Sequence, residues 1–190
     1  WLNHTDIRME KTQDILVEQD GKKVLKHYLI ETDAALGSDA YGAKPGSFGF
    51  EHFVDFGQTA KAILGLGIWE KPWQKRQKEI SEQAASAAVG SFDSVQFNPE
   101  KFKTELPNYA FKDLTLADGF WAAKQIVSFK DADISAIVKA AGLTDAQDAE
   151  KIIKVLIERR DLVARYWFSN SNPLDSIDLQ NGKLNFEDLA

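Results

Sequence analysis

Apolar positions change their period several times along the chain, and each change marks an element. Asp14-Ile15-Leu16-Val17-Glu18 and residues 24–30 are short runs divided by Asp20-Gly21. Their β-branched and aromatic residues suit a pleated surface, and Asp-Gly supplies the two positive-φ positions of a type I′ turn. The pattern predicts a hairpin over residues 14–30. Residues 34–49 are rich in small residues: Gly37, Ser38, Gly42, Gly46, Ser47 and Gly49, with Pro45. Structureless loops this long are uncommon in compact domains and are often functional, the alternative being a plain connector. Phe53, Phe56, Ala60, Ile63 and Leu64 recur near the helical period, which predicts a helix over 53–66 ended by Gly65 and Gly67.

Lys71-Pro72-Trp73 is a break, because Pro72 has no amide hydrogen and restrains Lys71. Residues 74–88 read as a helix with few apolar anchors. Residues 90–110 are irregular, punctuated by Asn98-Pro99 and Pro107-Asn108. Phe92, Phe97, Phe102 and Tyr109 are expected to pin this segment by their rings as it wraps the surface. Thr115 caps a helix carrying Phe120, Trp121, Ile126 and Val127. Asp131 or Asp133 starts another, through Ala141, that Gly142 ends. Thr144-Asp145-Ala146-Gln147 reads as a capping box opening a helix to about Phe168. Its apolar face is Ala149, Ile152, Ile153, Leu156, Ile157, Val163 and Trp167, and Trp121, Ile153, Leu156, Ile157 and Trp167 are expected to be buried together. Asn172-Pro173 marks the exit, and Asn181-Gly182 signals a second hairpin over 177–186. The fold class is α+β and mostly helical, with one or two β-hairpins in one domain over residues 1–190. Its parts are a loop and hairpin (1–33), a Gly-rich loop, helix and irregular wrap (34–110), and a helical bundle with a C-terminal hairpin (111–190).

Composition narrows the function. At 190 residues and 44% hydrophobic, the chain holds a core that needs no disulfide or metal staple. Zero cysteines exclude thiol catalysis and Cys-based zinc sites. A net charge of −6, from 23 basic and 29 acidic residues, argues against a general polyanion binder, so no nucleic-acid partner is expected. No apolar run approaches the roughly 20 residues that span a bilayer. His4, His27 and His52 lack metal-ligand spacing. Lys71, Lys75, Arg76 and Lys78, interleaved with Trp69 and Trp73, form either a solvated face anchored by Trp or a place for nucleic acid or another anionic partner. Glu158-Arg159-Arg160-Asp161 reads as a polar helix face with local ion pairs. The chain opens on Trp1 with no signal peptide visible and reads as a piece of a longer protein.

The densest chemistry is at the start. Trp1-Leu2-Asn3-His4-Thr5-Asp6-Ile7-Arg8 sets His, Asp and Arg at alternating positions, and Ile30-Glu31-Thr32-Asp33 puts two acids after an apolar strand. Either these acids end a strand at water, or Asp6, Glu31 and Asp33 converge around a divalent ion, since hard cations take carboxylate oxygens. The eight opening residues, then Thr12-x-Asp14-Ile15-Leu16, His27-Tyr28-Leu29-Ile30 and Leu36-Gly37-Ser38, resemble a family of longer, uncharacterised bacterial proteins. The likeness continues in Phe120-Trp121-Ala122-Ala123-Lys124, in residues 156–161 and in Arg165-Tyr166-Trp167.

That opening motif is similar to the catalytic segment of atypical kinases of the HipA-like, phosphoinositide-kinase-like and secretory-pathway groups. The resemblance implies a fold like a kinase C-terminal lobe and, as ancestral chemistry, phosphoryl transfer with Mg²⁺ and a nucleotide. Asp6 then matches the catalytic base and Arg8 the basic residue that follows it. Glu31 stands at the metal-binding Asp position, with Asp33 as a substitute two residues on. Lys11 stands at the metal-binding Asn position, where an ammonium cannot ligate. The implied partner is an N-terminal lobe of the same protein, and without it no ATP turnover is expected. Lys11 is expected beside Asp6 or Glu31, neutralising part of the acidic site. The rival is a pseudokinase-like or helical interaction module. Asp55-Phe56-Gly57 spells the kinase metal tripeptide, but its place at a predicted helix start makes Asp55 a cap. Gly37-Ser38 is not a phosphate-binding loop, because no Gly-Lys-Ser/Thr follows.

Overall fold

The structure, a computed structural model, describes residues 1–66, 68, 70, 71, 73, 74 and 89–189. They belong to an α+β, mostly helical chain with small antiparallel hairpins. Two compact units divide it, one of residues 2–96 and 101–112, the other of residue 1, 97–100 and 113–190. No described helix is long and apolar enough to cross a membrane.

In the unit of residues 2–96 and 101–112, a 3-10 turn at Met9–Lys11 leads into β1 (Thr12–Gln19), which pairs antiparallel with β2 (Lys22–Leu29). Asp20 and Gly21 turn the chain with φ of 53° and 72°, as a type I′ hairpin requires. The loop from 34 to 49 contains a second, minimal ribbon of β3 (Ser38–Asp39) and β4 (Gly42–Ala43). Here two backbones meet. Gly90 has φ of +56°, and a Cβ on it would lie 2.4 Å from the Gly37 carbonyl oxygen. That approach seats Val89 and Phe92 in the core, so the irregular segment is pinned through Phe92, whereas Tyr109 stays exposed.

Next comes α1 (Phe56–Leu64), capped by Asp55, whose carboxylate accepts the Gln58 N–H at 3.1 Å. The helix begins at that cap rather than at Phe53, and its apolar Phe56, Ile63 and Leu64 face solvent. A four-residue helix, α2 (Tyr109–Lys112), ends the unit. The helix expected over 74–88, and Trp69, Lys75, Arg76 and Lys78 of the basic-aromatic cluster, lie outside the described residues.

In the other unit, α3 (Leu116–Val127) starts with a reciprocal capping box between Thr115 and Asp118. At the start of α4 (Asp131–Ala140), Asp133 accepts the Lys130 N–H, and Gly142 follows its end with φ of +69°. Both pack on α5 (Ala146–Asn170). The cap of α5 is Asp145, not the expected Thr144: its carboxylate accepts the Gln147 N–H at 2.8 Å. After Ser171 the chain forms β5 (Leu174–Gln180) and β6 (Lys183–Asp188), turned by Asn181 and Gly182 in positive φ and bulged between Asp175 and Asp178.

The core differs from the sequence expectation in a regular way. On α5 the buried stripe is Ile152, Val155, Leu156, Arg159, Val163 and Phe168, with Ile153, Ile157 and Trp167 only half-buried. Trp121 is 65% exposed. On α3 it is Gly119 and Ala123 that face inward, and a residue two positions away sits about 200° round the helix. Gly119 is needed there because a Cβ would lie 2.2 Å from the Trp167 ring. Arg159 is not on the polar face either; its guanidinium lies 3.8 Å above the centre of the Phe97 ring. Arg160 takes the expected polar role, bonding Asp131, Asp161 and the Phe129 carbonyl.

Candidate functional site

The opening loop is fixed from below by residues about a hundred positions away. Glu105 donates its N–H to the Thr5 carbonyl at 2.9 Å, and Asn108 Nδ2 donates to the Ile7 carbonyl at 2.7 Å. Thr5 Oγ1 donates to Glu105 Oε1 at 3.1 Å, and the same oxygen holds Lys44 Nζ at 2.5 Å. Lys44 and Glu105 are both buried, with the ammonium 4.3 Å above the centre of the Phe48 ring. Thr5 is fully enclosed, and Asp6 beside it is buried.

Asp6 is met by two cations. Arg8 binds it through Nε at 2.7 Å and Nη2 at 3.3 Å, and Lys11 Nζ donates to Oδ2 at 2.6 Å. The same ammonium lies 2.5 Å from Glu31 Oε2. The hairpin makes this meeting. β1 begins directly after Lys11 and β2 ends at Leu29, so register sets Ile30 beside Lys11, and the Ile30 N–H donates to the Lys11 carbonyl at 2.9 Å. Glu31 follows, and His4 Nε2 donates to its carbonyl at 2.9 Å, so this histidine props the loop.

These contacts set the charges. Burial alone would push the Asp6 carboxyl up, but hydrogen bonds and attraction from Arg8 and Lys11 outweigh it and hold the group below the usual carboxylate range. Hydrogen bonds to Asp6 and Glu31 hold the Lys11 ammonium above the ordinary lysine range. A depressed carboxyl contributes stability that is present above its unfolded value, near 4, and is lost as pH falls through its folded value. Asp6→Asn is therefore expected to flatten part of the acid limb of the unfolding midpoint against pH. A limb of unchanged steepness below about pH 4 would show that Asp6 carries no such linkage.

The expected site residues are thus partly assembled. Asp6, Arg8 and Glu31 join one cluster, and Lys11 lies between the two acids. Asp33 is exposed and makes no ion pair or hydrogen bond with the other three. This donor set does not fit a resident Mg²⁺. Both Asp6 oxygens already accept from cations, and an ammonium occupies the space between the carboxylates. Among the described residues no group of three or more acidic or histidine side chains stands where it could hold a metal.

Asp55 of the kinase-like tripeptide belongs elsewhere. It borders a cavity of 310 Å³ with Glu51, His52, Gln58 and Lys71, where Glu51 and Lys71 form an ion pair at 2.6 Å. Its own carboxylate is taken by Lys103 at 2.7 Å and by the α1 cap, contacts that hold its pKa low.

Sequence reasoning missed Thr5, Lys44, Glu105 and Asn108. Nothing local distinguishes a Lys before Pro45 or a Glu before Leu106, because their role arises only when distant segments meet. No protein-family model matches the chain, and neither a curated protein nor a solved structure matches it.

Proposed function

We propose that the chain is a kinase-like lobe in which the ammonium of Lys11 takes the place of the catalytic metal, and that it works as a non-catalytic, pseudokinase-like module. The observation that carries this reading is the Lys11 bridge, 2.6 Å from Asp6 and 2.5 Å from Glu31. A divalent ion between two carboxylates balances their charge and gathers phosphate oxygens. A lysine there balances the charge from within the chain but leaves no open coordination position. The loop keeps its shape without metal, and Asp6 is committed to structural ion pairs rather than poised to accept a proton. Ancestral Mg²⁺-dependent transfer from a nucleotide explains why two acids and a basic residue converge on this loop.

Calorimetric titration with Mn²⁺ tests it. The wild type is expected to show negligible binding, and Lys11→Asn to bind measurably, because a competing cation leaves and an oxygen ligand arrives. Negligible binding by both proteins would remove the metal-place interpretation. Phosphate release from MgATP by the wild type, abolished in Asp6→Asn, would overturn the non-catalytic reading itself.

A further inference from the structure

Helix α1 sits with its sides reversed. Phe56, Ile63 and Leu64 face solvent at 69–84% exposure, while Gln58, Thr59 and Ala62 border the 310 Å³ cavity beside Asp55. A surface helix ordinarily turns its apolar stripe to the body. Here the side carrying Gln58 and Thr59 is inward, so the space beneath α1 is polar and is not part of a core. The described residues that border it all belong to the unit of residues 2–96 and 101–112.

The wall of this cavity is rich in acceptors that lack donors. The Gln58 side chain makes no hydrogen bond among the described residues, and its Oε1 is buried, a costly state for an acceptor. Glu105, itself buried, accepts from Lys44 and Thr5 at Oε1, and among the described residues no donor reaches its Oε2. His52 Nδ1 donates to the Thr104 carbonyl at 2.6 Å, so in the neutral ring Nε2 is an acceptor as well. A molecule that fits here brings hydrogen-bond donors.

The charges narrow its kind. Each carboxylate on the wall already holds a lysine: Glu51 with Lys71 at 2.6 Å, Asp55 with Lys103 at 2.7 Å and Glu105 with Lys44 at 2.5 Å. The three pairs balance, so an entering ion of either sign leaves a charge uncompensated, which a partly buried site disfavours. Hydroxyl groups donate without carrying charge, and they also accept. Phe48 and Phe53, in edge-to-face contact with ring centres 5.8 Å apart, add an apolar stretch to the same wall. At the small end of the range for ligand pockets, the cavity has room for one ring rather than a chain of them.

We propose that this cavity binds a neutral, hydroxyl-rich ring, a monosaccharide or a cyclitol, whose hydroxyls donate to Gln58, Glu105 and His52 and whose C–H face lies on Phe48 and Phe53. The site stands apart from the Asp6–Lys11–Glu31 cluster and does not depend on the kinase-like reading.

Calorimetric titration with D-glucose, D-galactose, D-mannose and myo-inositol tests it, with putrescine and inorganic phosphate as charged probes. At least one ring is expected to bind in the millimolar range or tighter, and neither charged probe is. Gln58→Leu removes an acceptor but keeps the α1 cap, which uses the backbone N–H, and is expected to weaken that binding by up to about tenfold. Ala62→Phe fills the space and is expected to abolish it. Unfolding midpoints measured beside the titrations establish that each variant is folded. Silence from all four rings, unchanged affinity in Gln58→Leu or in a folded Ala62→Phe, or tighter binding of putrescine or phosphate than of any ring would each overturn the proposal.

Discussion

Lys44→Met is expected to destabilise the unit of residues 2–96 and 101–112 by about 3–5 kcal/mol, the range for breaking a buried ion pair from one side. Lys44 and Glu105 are both buried, and Lys44 Nζ lies 2.5 Å from Glu105 Oε1. Methionine keeps most of the stem's volume, so little of the loss comes from packing. It comes from Glu105, whose carboxylate keeps, among the described residues, the Thr5 hydroxyl as its hydrogen-bond donor, a far weaker partner than an ammonium. The double variant Lys44→Met/Glu105→Leu is expected to recover much of the stability, because removing both charges removes the uncompensated one. Denaturant unfolding of the three proteins measures this: the midpoint should fall for the single variant and return in part for the double, with the slope unchanged. A single variant within about half a kcal/mol of the wild type would mean that Glu105 finds water or another partner there. The result bears on the candidate site, since Glu105 also holds Thr5 and thereby the loop that presents Asp6.

Which features the sequence revealed follows from the range of the forces involved. Both ribbons were legible because Asp20-Gly21 and Asn181-Gly182 are local signals: two residues that tolerate positive φ, flanked by runs of strand formers. Thr115 and Gly142 punctuate helices for equally local reasons, and Asp55 is a cap as its place before α1 suggests. Within the site, the approach of Lys11 to Glu31 follows from hairpin register, which the turn fixes. What escaped was tertiary. The support beneath Asp6 depends on residues 44, 105 and 108 meeting a loop near the start, and no spacing announces such a meeting. The inward face of α5 shares Ile152, Leu156 and Val163 with the expected one but turns toward Val155, Arg159 and Phe168 rather than Ile153, Ile157 and Trp167. A charged residue among apolar ones reads as polar face until the Phe97 ring that stacks on it is known. Trp121 was misplaced by its size, since a large apolar residue weighs heavily in any stripe; the contact there goes to Gly119 and Ala123, which let the Trp167 ring approach.

The corrected core makes a sharper demand than the expected one. Leu156→Ala is expected to cost about 2–5 kcal/mol, the transfer term of the lost side chain plus the cavity it leaves. Leu156 is buried on the same stripe as Ile152 and Val155, and its carbonyl accepts the Trp1 indole N–H at 2.8 Å. Alanine keeps that hydrogen bond and favours the helix, so the loss isolates packing. Trp121→Ala, a far larger truncation on α3, is expected to cost within about half a kcal/mol, because the side chain is mostly exposed. The two proteins are expected to reverse the order that side-chain size predicts, because Leu156 is buried and Trp121 is not. Thermal unfolding followed by circular dichroism, with denaturant midpoints beside it, gives both values. A Trp121→Ala loss equal to or larger than that of Leu156→Ala would mean that α3 turns its other face inward and that the stripe through Gly119 and Ala123 is not the one that meets α5.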